Sequence, residues 1–166
     1  MSLTRAVKAR RKAIRHIVHD YGNFVSSAEM VINGAHLGRA LDPPINTHIG
    51  HAFYLNCRKM ADFFAGPAKR VPDDIVAGDY VSTITFKLPV SDKWRVPINK
   101  QLAHLTYSRD QNPKEITRVA QRELYKELKD AWKVFGKHLP KIYRTRFDRE
   151  IALRAKSEFT IYDLGF

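Results

Sequence analysis

Hydrophobic residues recur at helical spacing along most of the chain. From residue 3 to about 32, apolar positions repeat every seven residues in two companion rows, and the pattern keeps its phase across Gly22. We interpret this segment as one long amphipathic helix. The side opposite the apolar rows carries a row of cations, here called the basic ridge: Arg5, Lys8, Arg11, Lys12 and Arg15. Because no acid precedes Asp20, the ridge is typical of a surface that follows nucleic-acid phosphates. A merely solvated cationic face is the alternative.

Three further segments have the same helical pattern. The first covers about 46–65, with Asn46 as its predicted N-cap and a Gly-Pro pair after its end. The second covers 113–138, and Pro140 separates it from a basic helix predicted at 141–157. Each places a row of apolar residues on one face, so each is expected to pack against the others. In the last helix this row consists of Tyr143, Phe147 and Ile151.

The pattern is less regular between residues 67 and 96. Pro72-Asp73-Asp74 favours a short helix that ends near Gly78, because acids are stabilising at a helix start. Residues 81–88 then alternate between apolar and polar, which indicates an extended or β-like crossing segment near 79–96. Together these elements predict an all-α fold: residues 1–166 form a single domain, an antiparallel bundle of about five helices.

The fifth predicted helix, 98–109, combines an apolar face with a cluster of reactive side chains. Its imidazole, His104, and a nearby cation, Arg109, are the types that general acid–base chemistry on RNA requires. Arg58 would join them if the helix at 46–65 packs alongside. The alternatives are that His104 links helices through a buried hydrogen bond and that Arg58 pairs with Asp62 one turn away. Further candidate nucleic-acid contacts lie here and in the last helix: Lys100, Tyr107, Lys141 and Arg144.

Composition adds the partner class. The 166 residues include 29 Lys and Arg against 17 Asp and Glu, which gives a net charge of +12. Such an excess attracts polyanions, so nucleic acid is the leading partner. The single cysteine, Cys57, lies on an apolar face and is interpreted as a small buried hydrophobe. It is consistent with a reducing cytoplasm, and no apolar run is long enough to suggest a membrane partner.

A metal site has weak support in the sequence. His48 and His51 are three residues apart and could bind one ion, with Asp62 or the pair Asp73-Asp74 as further ligands. The sequence does not place the third and fourth ligands, so we interpret the histidines as satisfied or exposed side chains. No metal or cofactor is therefore expected, and a metal-dependent hydrolase is kept only as an alternative function.

Two short motifs carry a family resemblance. The segments Asn56–Phe64 and Asn99–Arg109, with the helix layout over roughly 46–139, resemble bacterial proteins of HEPN-like type (higher eukaryotes and prokaryotes nucleotide-binding). The resemblance implies an antiparallel helical bundle, often dimeric, in families that include RNA-cleaving toxins and defence proteins. Nucleases of this type carry an Arg, then four to six residues, then a His. Here that spacing occurs only in the first helix, at Arg10 or Arg11 with His16, and residues 104–109 have the reverse order.

We therefore expect a cytoplasmic HEPN-like protein that binds nucleic acid, RNA more than DNA, with a homodimer as a second candidate partnership. A toxin or defence setting follows from the resemblance, and catalysis is left open. The alternative is a non-catalytic interaction or structural module, in which the polar cluster at 98–109 only fixes helix packing.

Overall fold

A computed structural model of the chain describes residues 4–33, 43–65, 71, 74–81, 98 and 117–162. Four α-helices make up nearly all of this part: α1 (Arg5–Asn33), α2 (Pro43–Ala65), α3 (Arg118–His138) and α4 (Lys141–Tyr162). A 3-10 turn, Ala77–Asp79, lies between α2 and α3. The predicted all-α class is confirmed for these residues. None of the described helices has a stretch long and apolar enough to span a bilayer.

Side-chain contacts fix the directions of the helices. Lys59 pairs with Asp20 at 3.3 Å, and Asn56 of α2 donates to the backbone oxygen of Asn23 at 3.2 Å, so α2 runs antiparallel to α1. Tyr21 stacks on Trp132 with ring centroids 3.9 Å apart, and Phe24 contacts Tyr125 one turn further on. Helix α3 is therefore also antiparallel to α1. Because α4 folds back along α3, α4 runs parallel to α1.

The core is formed by the predicted apolar stripes. Phe135 lies at its centre and is 1% exposed, with five other aromatic rings around it. Cys57 is fully buried, as predicted, and burial raises the pKa of its thiol. Other predicted core residues that are buried include Ile14, Ile17, Phe24, Ala28, Phe53, Met60, Phe64, Leu124, Leu128, Ala131, Leu139, Tyr143 and Phe147.

One predicted core position is wrong. Ile151 of α4 is 39% exposed, whereas Glu150 is buried. The face of α4 that turns towards α1 continues from Tyr143 and Phe147 to Glu150 and Arg154, at the spacing of a packed helix face. The packing face therefore changes from aromatic to charged halfway along the helix.

Two predicted helix starts differ from the structure. Helix α2 begins at Pro43, three residues before the predicted cap Asn46, because proline is tolerated in the first turn where its missing N–H has no partner anyway. Helix α3 begins at Arg118 instead of near Pro113. Thr117 is its N-cap, and the Thr117 hydroxyl accepts a hydrogen bond from the backbone N–H of Ala120 at 3.2 Å.

The short helix predicted from Pro72 to Gly78 is also wrong where the structure describes it. Asp74 and the two residues after it are not helical, and the 3-10 turn begins only at Ala77. The Asp74 carboxylate accepts a hydrogen bond from the backbone N–H of Val71 at 2.7 Å, and that of Asp79 accepts one from Val76 at 3.1 Å. Asp74 thus stabilises a turn, and Asp79 caps the start of the short 3-10 turn instead of an α-helix at Pro72.

The remaining predicted elements lie mostly outside the described residues. Of the crossing segment near 79–96, only the end of the 3-10 turn and the two residues after it are described. Tyr80 packs edge-on against Tyr143 and donates its hydroxyl to the backbone oxygen of Arg10 at 3.0 Å. Of the helix predicted at 98–109, only Ile98 is described, and its side chain is buried.

Alkaline pH is expected to destabilise the bundle through the partly buried phenol of Tyr21. Burial, with smaller contributions from Tyr125 and Asp130, raises the pKa of Tyr21 well above its ordinary value near 10. Above about pH 10 the unfolded chain loses this proton while the folded chain keeps it, so the free energy of unfolding falls as pH rises. We expect Tyr21→Phe to lose less stability between pH 9 and 11 than wild type, measured by urea denaturation. Equal losses in the two proteins would contradict this.

Candidate nucleic-acid interface

The basic ridge lies on the outer face of α1. Its members at positions 5, 8, 12 and 15 are exposed, and Arg11 is half-buried. Steps of three and four residues keep the exposed four on one face of a helix, so their charges form a continuous stripe. The basic ridge leads directly into a groove between α1 and α4, and Arg15 belongs to both the ridge and the groove.

This groove, here called the arginine groove, has a volume of about 450 Å³. Four arginines and one glutamate line it, so positive charge dominates. Because α1 and α4 run parallel, each contributes one side of the groove along its length. The residues from α1 are Arg15, Val18 and His19, and those from α4 are Arg146, Arg149, Glu150, Leu153 and Arg154.

Glu150 anchors one of these arginines. Its side chain is only 10% exposed, and its carboxylate accepts a hydrogen bond from Arg146 Nη2 at 2.6 Å. A charge-assisted contact this short holds the Arg146 guanidinium in one orientation. The Nε of Arg146 is buried and has no hydrogen-bond partner within the part of the chain that the structure describes. The pair therefore places a fixed cation at the groove with one donor unsatisfied.

Arg154 joins the two helices at one end of the groove. Its guanidinium donates to the backbone oxygen of His19 at 3.2 Å and approaches Asn23 Oδ1 at 3.4 Å. It lies directly over Gly22, where a β-carbon would overlap the guanidinium. Packing thus explains the glycine at position 22, since the missing side chain leaves the space that Arg154 occupies.

The residues predicted as catalytic are only partly described. Arg58 pairs with Asp62 at 3.7 Å along α2, which confirms the plain intrahelical salt bridge as a contact it makes. His104 and Arg109 lie outside the described residues, and so do Lys100 and Tyr107. A cluster of these groups with Arg58 stays a prediction.

The two contacts predicted on α4 differ in what they do. Lys141 is exposed at the start of the helix. Arg144 turns back and donates from Nη2 to the backbone oxygen of Lys137 at 2.7 Å, so it satisfies a carbonyl at the end of α3. Its role in the fold is therefore to hold the α3–α4 corner.

The proposed metal ligands do not converge among the described residues. His48 is exposed on α2, His51 is half-buried, and Asp73 lies outside the description. Within the described ranges no three residues of the ligating types are grouped to hold an ion.

A second groove, of about 320 Å³, lies between α1 and α2 and has a different character. It combines Asp20, Asp62 and Asp74 with Lys59 and His16, so its charges do not favour a polyanion. His16 therefore lines a different groove from Arg15. Arg10, one of the two arginines at nuclease-like spacing from it, pairs with Asp79 at 4.0 Å.

Sequence reasoning missed the arginines of α4 that line the groove. It selected Lys141 and Arg144 from the basic last helix, whereas the groove uses Arg146, Arg149 and Arg154. A signal was present, because Arg146, Arg149 and Leu153 follow at steps of three and four on one face. What the pattern could not show is that this face meets α1.

The described fold and site define a basic all-α helical bundle with an arginine-lined groove. Comparison of the chain with models of known families, with curated proteins and with solved structures finds no match.

Proposed function

We propose that this chain is a HEPN-like helical protein that binds nucleic acid, RNA in preference to DNA, along the basic ridge. The observation that carries the proposal is the unbroken stripe of exposed cations from Arg5 to Arg15, continued by the arginines of the groove. The preference for RNA and a toxin or defence setting are supported by the resemblance of its two motifs, and the cytoplasmic location is supported by the single cysteine, Cys57. Cleavage is not part of the proposal.

The dimensions of the ridge suit a phosphate backbone. The ten helical steps from Arg5 to Arg15 rise about 15 Å, on the order of four phosphates along one strand of a duplex. The ridge contains no acid, so each of its cations can release a counterion when a phosphate binds. The proposal also includes two elements of the fold that the sequence predicts: a fifth helix at 98–109 and a crossing segment near 79–96. That helix would supply Lys100 and Tyr107 as further contacts, and a homodimer would present two ridges.

A salt series on a ridge variant tests this proposal. We expect the triple variant Arg5→Gln, Lys8→Gln, Lys12→Gln to bind labelled single-stranded RNA more weakly than wild type. The slope of log K against log salt should fall by about 2, since each lost phosphate contact removes about 0.7 for a single strand. Fluorescence anisotropy at salt concentrations from about 50 to about 300 mM measures both the affinity and this slope.

A matched variant separates the ridge from net charge. Arg122→Gln, Lys126→Gln and Lys137→Gln also remove one arginine and two lysines, from exposed positions on the outer face of α3. This control should bind RNA nearly as wild type does. Equal weakening by the two triples would mean that only the overall charge of +12 attracts RNA, and the ridge proposal would be rejected. The same titration with DNA of equal sequence tests the preference for RNA.

A further inference from the structure

We propose that the arginine groove binds a phosphate monoester, meaning a phosphate group that carries a single organic substituent. The group could belong to the end of an RNA strand or to a free mononucleotide, which share this chemistry. The inference goes beyond the proposed function, because a ridge that follows phosphodiesters needs no site for a terminal phosphate.

The charge of the groove matches such a group. Arg15 and Arg149 both line it, and neither forms an ion pair with any residue that the structure describes. Arg146 already has a carboxylate partner in Glu150. A phosphate monoester carries a charge of about −1.5 to −2 at neutral pH, whereas a backbone diester carries −1. Two cations without a carboxylate partner therefore suit the monoester better.

The shape of the groove favours a terminal group. Arg154 crosses from α4 to the backbone oxygen of His19 and to Asn23, so it closes the groove at that end. A strand that continued through the groove would have to displace this side chain. The volume of about 450 Å³ is that of a site for one small ligand and not of an extended channel.

Two of the four guanidinium groups are held in place before a ligand arrives. Glu150 orients Arg146, and the α1 backbone orients Arg154, so these two side chains lose little freedom on binding. Guanidinium groups present paired N–H donors that fit two phosphate oxygens at once. Val18 and Leu153 supply apolar surface beside them for the organic substituent.

Calorimetric titration of the full chain with AMP and with adenosine tests the proposal. We expect AMP to bind and adenosine to give no measurable heat, with inorganic phosphate competing against AMP. Arg149→Gln should weaken AMP binding about tenfold, the effect of losing one charge-assisted hydrogen bond. Arg122→Gln, which removes an exposed arginine of α3 that does not line the groove, should leave AMP binding unchanged. Circular dichroism confirms that both variants are folded.

A second pair of ligands distinguishes the two sources of the phosphate. If the natural ligand is a strand end, a 5′-phosphorylated RNA should bind more tightly than the same RNA with a 5′-hydroxyl, and Arg149→Gln should abolish the difference. If AMP binds but the two RNAs bind equally, the groove takes a free mononucleotide. The proposal is overturned if AMP does not bind and the 5′-phosphate gives no advantage, or if Arg149→Gln and Arg122→Gln behave alike. Since Arg15 is left intact, none of these outcomes alters the ridge experiment.

Discussion

Replacing Phe135 with alanine is expected to lower the free energy of unfolding by about 3–5 kcal/mol, the largest single loss we predict. Phe135 is 1% exposed, and its ring contacts aromatic rings of α2 and α4 and the ring of Tyr80, which follows the 3-10 turn. Its removal takes away the buried apolar area and leaves a cavity that the surrounding rings, fixed in different helices, cannot refill. Urea denaturation followed by circular dichroism measures the loss.

A control on the same helix makes this result specific. Val119 of α3 is 66% exposed, so Val119→Ala should change stability by no more than about 0.5 kcal/mol. Phe135→Leu should lie between the two, because leucine fills part of the space. A loss below 1 kcal/mol for Phe135→Ala, on the order of a surface substitution, would mean that Phe135 does not link the helices as described.

The helical core could be predicted from the sequence because its signal is local. The seven-residue rows of α1 identify its buried face without any knowledge of the partner helix, and Phe24 and Ala28 are indeed fully buried. The same holds for the stripe of α3. The predicted helix starts were less accurate. Pro43 needs no partner for its missing N–H, and Thr117 accepts a hydrogen bond from the first turn, so each allows a helix to begin at a residue other than the predicted one.

The arginine groove could not be predicted in the same way. On α4 the packing face passes from Phe147 to Glu150 and Arg154, and a rule that follows apolar residues selects Ile151 instead. Long cationic side chains can cover a packing face with their methylene groups while their charge stays near water. The contact of Arg154 with Gly22 joins residues at opposite ends of the sequence, so no local pattern reveals it.

Gly22 illustrates the difference between predicting an element and predicting a site. In the sequence it is only a weak point that the helix of α1 tolerates, since glycine costs about 1 kcal/mol within a helix. In the structure it admits Arg154 and so closes the groove. The sequence pattern supports the helix, and only the fold shows that the glycine makes room for Arg154.

Replacing Glu150 with glutamine is expected to change stability and anion binding in opposite directions. Glutamine keeps the shape and one hydrogen bond to Arg146 but removes the only carboxylate among the described residues that line the groove. The largely buried pair then becomes a cation without a counter-charge, so the free energy of unfolding should fall by about 2 kcal/mol. The same change removes the repulsion that an anion meets in the groove, so AMP should bind more tightly and raise the melting temperature more than in wild type.

Asp130→Asn provides the matched control for this prediction. It also removes one carboxylate from an ion pair within a helix, but Lys133 is largely exposed and Asp130 about half exposed, so the pair contributes at most about 1 kcal/mol. The control should therefore lose little stability and respond to AMP as wild type does. Thermal unfolding of the three proteins with and without AMP measures both effects. If Glu150→Gln and Asp130→Asn change the melting temperature by the same amount, both without AMP and with it, then Glu150 neither holds Arg146 nor sets the charge of the groove.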